Sequence, residues 1–159
     1  MPEKLRIQRK DLYVIEVNDD GETLTFAMGD VMLPVNLNAA YEEINRIQDR
    51  LKQKIAVINK QKDFKRKNSA MTNNQIAIMN VQKEAFSDMR KAMDRFLGEG
   101  GCQKVFGDAN YLEMYNDLFE ELTKKGEDGL SHLDRMKISS DSISKRIEEK
   151  YKAVKNQVI

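Results

Sequence analysis

From Leu37 onward the apolar residues of this chain keep a helical period. Leu37, Ala40, Tyr41, Ile44, Ile47, Leu51, Ile55 and Ile58 follow one another at spacings mostly of three and four. With 3.6 residues per turn that spacing puts them in one stripe on a helix of about six turns. Such a stripe is stable only when another apolar face covers it, so the rest of the chain must supply packing partners for this element. Asn36, just before the stripe, is the expected N-cap.

Upstream of Asn36 the period is two. DLYVIEVNDDGETLTFAMGD contains two β-rich runs, Leu12 to Val17 and Thr23 to Met28, around Asn18, Asp19, Asp20 and Gly21. This predicts a hairpin whose loop uses Gly21 for positive φ. A short third strand over Val31 to Val35 is expected to follow, confined to an edge by Pro34.

Downstream, the pattern fades over Lys60 to Gln75, which predicts a linker or a frayed helix end. Thr72 then offers an N-cap with Gln75 in the reciprocal position. The second helix carries Ile76, Met79, Ala85, Phe86, Met89, Met93, Phe96 and Leu97 and stops at Gly98. A third helix is expected from Asp108 or Asn110, with Leu112, Tyr115, Leu118, Phe119 and Leu122 on one face, ending at Gly126 or Gly129. A last stripe, Ile143, Ile147, Tyr151, Val154 and Val158, predicts a C-terminal helix. The residues therefore predict an α+β fold, mostly α-helical: a small N-terminal antiparallel β-hairpin followed by about four helices. The expected organisation is a hairpin unit at 1–36, a helical core at 37–125 and a C-terminal helical extension at 126–159.

The formal net charge of +1 spread over 159 residues argues against a nucleic-acid or membrane partner for the chain as a whole. Locally the balance differs. Residues 1–36 carry four basic and seven acidic groups, and residues 37–71 carry nine basic and four acidic. No window has the roughly 18 apolar residues of a membrane span, and MPEKLRIQRK lacks the apolar run of a secretory signal. With one cysteine there is no internal disulfide, so a reducing, cytoplasmic location is expected.

The stretch FLGEGGCQKVFGD packs four glycines, Cys102 and Lys104 into thirteen residues. It is not a P-loop, because Lys104 is followed by Val105 where a hydroxyl is needed to meet the metal. The glycines at 98, 100, 101 and 107 also miss the dinucleotide fingerprint, and a helix precedes them where that turn needs a strand. The single histidine, His132, lies thirty residues from Cys102, with no nucleophile–base motif and too few soft ligands for a thiolate–imidazole metal cage. The stretch reads as a helix-to-helix corner that tucks Val105 and Phe106 into the core. No catalytic residue, metal or cofactor is expected.

Two features remain as candidate sites. Lys60, Lys62, Lys65, Arg66 and Lys67, interrupted by Asp63 and accompanied by Phe64, could contact a phosphate backbone while the ring stacks on a base. A solvated loop between helices is the plainer reading of the same residues, and nucleic acid is not the expected partner. Among nine methionines, Met79, Met89 and Met93 fall near Phe86 and Phe96 on the second helix. Methionine adapts to varied apolar surfaces, so this face suits either a core or a groove for helical ligands.

The runs AMDRFLGEGGCQKVFGDANYLEMYNDLFEEL and DLYVIEVNDDGETLTFAMGDVMLPVNLNAAYEEI resemble the tail assembly chaperones encoded by tailed phages and prophages of Gram-positive bacteria. The similarity spans most of residues 11–124, and SHLDRM with ISKRIEEKY is similar more loosely. The Lys60 to Asn68 segment and the length of the C-terminal helix depart from the family pattern. The resemblance implies a non-enzymatic protein that binds the long helical tape measure protein, keeps it soluble and helps tail tube protein assemble around it. It also implies, in many members, a longer form made by ribosomal frameshifting, and self-association into a homo-oligomer is expected because a face too apolar for water would be covered by another copy until a client displaces it. On that implication the client-binding groove is expected at Met79, Phe86, Met89, Met93 and Leu118. The alternative is a nucleic-acid-binding accessory protein using Lys60 to Lys67.

Overall fold

A computed structural model describes residues 1–8, 11–138 and 149. The fold is α+β and mostly helical: strands β1 (Leu12–Glu16) and β2 (Thr23–Ala27), then helices α1 (Met32–Asn59), α2 (Asn73–Leu97), α3 (Gly101–Phe106), α4 (Met114–Thr123) and α5 (His132–Arg135). The stripe expected at Ile143 to Val158 lies outside the described residues. No helix among the described residues is long and apolar enough to cross a membrane.

The chain divides into two compact units, one made of Met1–Val35 with Gln103–Ile159, the other of Asn36–Cys102. The hairpin thus groups with chain far downstream. Lys104 Nζ donates to the carbonyl of Thr23 (3.2 Å), and Asn18 Nδ2 donates to the carbonyl of Lys104 (3.0 Å). The backbone N–H of Gly29 donates to the carbonyl of Met136 (3.0 Å).

In the first unit β1 and β2 pair antiparallel, with Tyr13 opposite Phe26 and Ile15 opposite Leu24. Alternation puts these four on the inner face, where Leu24 and Phe26 are buried, and leaves Leu12, Val14 and Glu16 outside. The turn is shaped by Asn18, whose Oδ1 accepts from the N–H groups of Asp20 and Glu22, and by Gly21 at φ 78°. A two-stranded ribbon is marginal alone. In this unit Leu33, Met114, Tyr115, Phe119, Leu122, Leu133, Met136 and Ile138 are also buried. Phe106 and Tyr115 meet edge to face at 5.6 Å, a favoured aromatic geometry.

The second unit is an αα-hairpin. Of the expected stripes, Leu37, Ala40, Ile44, Ile47 and Ile58 on α1 and Ala85, Phe86, Met89, Met93, Phe96 and Leu97 on α2 are buried, with Ala92 beside them, whereas Tyr41, Leu51, Ile55 and Ile76 are half-buried and Met79 is exposed. The capping box at Thr72 and Gln75 is present in both directions. Gly98 closes α2 with φ 96° and its N–H bonded to the Asp94 carbonyl.

Three expectations are corrected. Val31 is a turn residue and Met32 to Val35 are the start of α1, not a strand, since Asp30 Oδ1 accepts from the N–H of Met32 (2.9 Å) and the helix begins four residues before Asn36. Pro34 falls in the first turn, where its missing N–H costs no helical bond. The third expected helix begins at Met114 rather than at Asp108 or Asn110. Gly107, at φ 67°, terminates α3, and the Asp108 carboxylate that would cap a helix accepts instead from Gln103 Nε2 (2.7 Å). Leu112 consequently lies before the helix, 72% exposed, and off its buried face. The same helix ends at Thr123, before either glycine.

Candidate functional site

The glycine corner holds its chemistry-bearing groups in structural bonds. Cys102 is 1% exposed; its N–H donates to Asp94 Oδ1 (2.8 Å) and its thiol to the Arg90 carbonyl (3.6 Å). Asp94 thus ties the end of α2 to the first turn of α3, and the sulfur has no open approach. Val105 and Phe106 are half-buried and not fully tucked into the core. His132 is half-buried, its Nδ1 hydrogen-bonded to the Tyr13 hydroxyl at 2.6 Å. Ser131, one residue earlier, caps α5 in a box with Asp134. Among the described residues no group of three or more His, Cys, Asp or Glu is placed to hold a metal ion.

The expected groove set is split by burial. Phe86 (8% exposed), Met89 (1%) and Met93 (0%) are core side chains of α2 and line no open surface. Met79 is 45% exposed, and Leu118 on α4 is half-buried and belongs to the other unit. The stripe of α2 therefore serves the core at its C-terminal half. Open apolar surface is confined to the N-terminal half.

Met79 does not line the trough that runs between α1 and α2. One end, about 120 Å³, is lined by Ile47, Arg50, Leu51, Lys54, Val81, Glu84, Ala85 and Asp88. It continues into a shallower, more open cleft of about 360 Å³ formed by Arg50, Gln53, Lys54, Val57, Ile58 and Val81. Val57 is 58% exposed. The banks are charged in opposite senses: Arg50 and Lys54, one helical turn apart, stand on α1, and Glu84 and Asp88, likewise spaced, stand on α2. Arg50 also pairs with Glu43 on its own helix (3.3 Å). Sequence reasoning missed Val57 and Val81. The available signal was that Val57 falls off the α1 stripe, an apolar residue with no place on the buried face.

The basic loop is ordered around its one acid. Asp63 Oδ1 accepts from the N–H groups of Phe64 (2.8 Å) and Asn74 (3.0 Å), the latter in the first turn of α2. The Asn74 N–H is the main cause that holds the Asp63 carboxyl below its ordinary value, helped by the Thr72 hydroxyl and the Phe64 N–H. The N–H of Asn73 donates to the Phe64 carbonyl (2.9 Å), Lys65 forms a bridge with Thr72, and Asn74 Nδ2 donates to the Gln61 carbonyl (3.0 Å). Lys60, Lys62, Lys65, Arg66 and Lys67 are all exposed, and Phe64 is 58% exposed.

Compared with known proteins, the chain matches no family model, no curated protein and no solved structure.

Proposed function

We propose that the chain is a tail assembly chaperone of a tailed phage or prophage, which captures apolar helical stripes of the tape measure protein, keeps that protein soluble and promotes tail tube assembly, and that it transforms no substrate. The observation that carries the proposal is the trough between α1 and α2, with Val57, Ile58 and Val81 in its lining and banks of opposite charge. An amphipathic client helix fits it in the helix-in-groove mode, apolar anchors three and four residues apart entering the trough. Acids flanking the client's stripe meet Arg50 and Lys54, and bases meet Glu84 and Asp88. Charged banks also keep an exposed apolar strip compatible with water while no client is bound. The resemblance over residues 11–124 supplies the identity of the client.

The test is co-expression with a tape measure protein. The native chain should shift the client into the soluble fraction, and Val57→Asp with Val81→Asp should abolish that shift. Both positions carry exposed or half-buried side chains, so the doubly substituted chain should keep its helical circular dichroism. Cys102→Ala should leave the rescue unchanged. A client equally soluble without the chain, or rescued equally by the doubly substituted chain, overturns the reading.

A further inference from the structure

In the Lys60 to Lys67 loop the structure separates the charges that the sequence mixes. The only acid among these residues, Asp63, is committed to backbone N–H groups, one of them at the start of α2, where a negative charge also complements the helix dipole. What remains directed to solvent is five cations, none in an ion pair among the described residues, around a phenylalanine more than half exposed. The backbone is pinned by the Asn73–Phe64 bond and the Lys65–Thr72 bridge, so the ring is presented without first ordering a free loop. An exposed ring on a pinned loop gains by being stacked upon, and like charges held close gain by a polyanion.

From this arrangement we infer that the loop is a binding site for single-stranded nucleic acid, with the lysines and Arg66 on successive phosphates and a base stacked on Phe64. A base must be unstacked to reach the ring, which favours single strands over a duplex. An anionic bilayer surface is less well matched, because interfacial anchoring uses an amphipathic helix with a broad apolar face, and here the segment is non-helical with one ring. The site adjoins the trough at Lys60, whose N–H donates to the Val57 carbonyl (3.2 Å), but the inference does not depend on the chaperone reading.

The experiment is fluorescence anisotropy of a labelled oligothymidine and oligouridine of about 20 nucleotides, and of a duplex of equal length, titrated with the full chain at several salt concentrations. Five phosphate contacts at about −0.7 each give an expected log–log salt slope of about −3.5 for single strands. Replacing Lys60, Lys62, Lys65, Arg66 and Lys67 by Gln should abolish binding with circular dichroism unchanged. Phe64→Ala should weaken single-strand binding roughly tenfold and leave the salt slope unaltered, as expected for a lost stacking contact. Absence of binding, binding insensitive to salt or to the five substitutions, or equal affinity for duplex and single strand each overturns the inference. So does sedimentation with phosphatidylserine vesicles in the absence of oligonucleotide binding, which would assign the loop to a membrane surface.

Discussion

Met79 and Met93 lie on one helix and in one sequence stripe, yet the first is 45% exposed and the second fully buried. Met93→Ala should therefore cost about 2–5 kcal/mol, the range for emptying a core site, whereas Met79→Ala should stay within about 0.5 kcal/mol; denaturant titration of the two variants checks both. Periodicity identified the face correctly but could not say how far along the helix its cover extends, because cover is supplied by residues distant in sequence. Asp63 poses a different question at the same scale. Its carboxyl is held below the ordinary aspartate value, chiefly by the Asn74 N–H. A depressed folded value stabilises the fold above the unfolded value and loses that contribution as pH falls through the folded one. Asp63→Asn should thus lower the melting temperature at neutral pH, and the gap between variant and native chain should close below about pH 4. A gap that does not narrow as the pH falls below about 4 would mean that the carboxylate's charge is not what holds the loop.

The boundaries of the elements divide into those set by local chemistry and those set by competition. Thr72 with Gln75 is a reciprocal pair within four residues, legible because both partners are close in sequence. Thr72→Ala should cost about 1 kcal/mol, the typical value of an N-cap, read as a shift in the thermal or denaturant midpoint. Gly98 was legible for the same reason. Its φ of 96° with ψ of 168° is almost confined to glycine, and a Cβ there would meet no atom within 4 Å. The expected cost of Gly98→Ala, about 1–3 kcal/mol, is therefore backbone strain and not a clash. The start of α4 was misread because Asp108, a good cap by type, is taken by Gln103. The start of α1 was misread because Pro34 suggests an edge strand as readily as a first turn, and only the Asp30 side chain decides between them. In both cases the deciding bond involves a side chain whose alternative partners sequence does not rank.

At the scale of the molecule the least legible feature was the grouping of the hairpin with the chain after Gln103. Strand period, turn residues and inner face could all be read from residues 11 to 28, but a ribbon of two strands does not indicate what covers it. The cover involves the Tyr13–His132 bond, the Gly29–Met136 bond and the Lys104–Thr23 bond, which join positions far apart in sequence and have no local signature. The trough was illegible for a related reason, since α1 and α2 each show a stripe, but which of their residues line a gap between them depends on how the two helices pair. The hairpin's dependence on this cover makes a sharp prediction. Leu133, on α5, is 1% exposed, and Leu133→Ala should destabilise its unit by about 2–5 kcal/mol. Because the two strands are not stable by themselves, the amides of β1 and β2 should lose most of their protection in hydrogen exchange, although no residue of either strand has been altered. Undiminished protection of those strand amides would show that the hairpin is held by its own cross-strand pairs, and that the long-range bonds to residues 104, 132 and 136 accompany its fold without sustaining it.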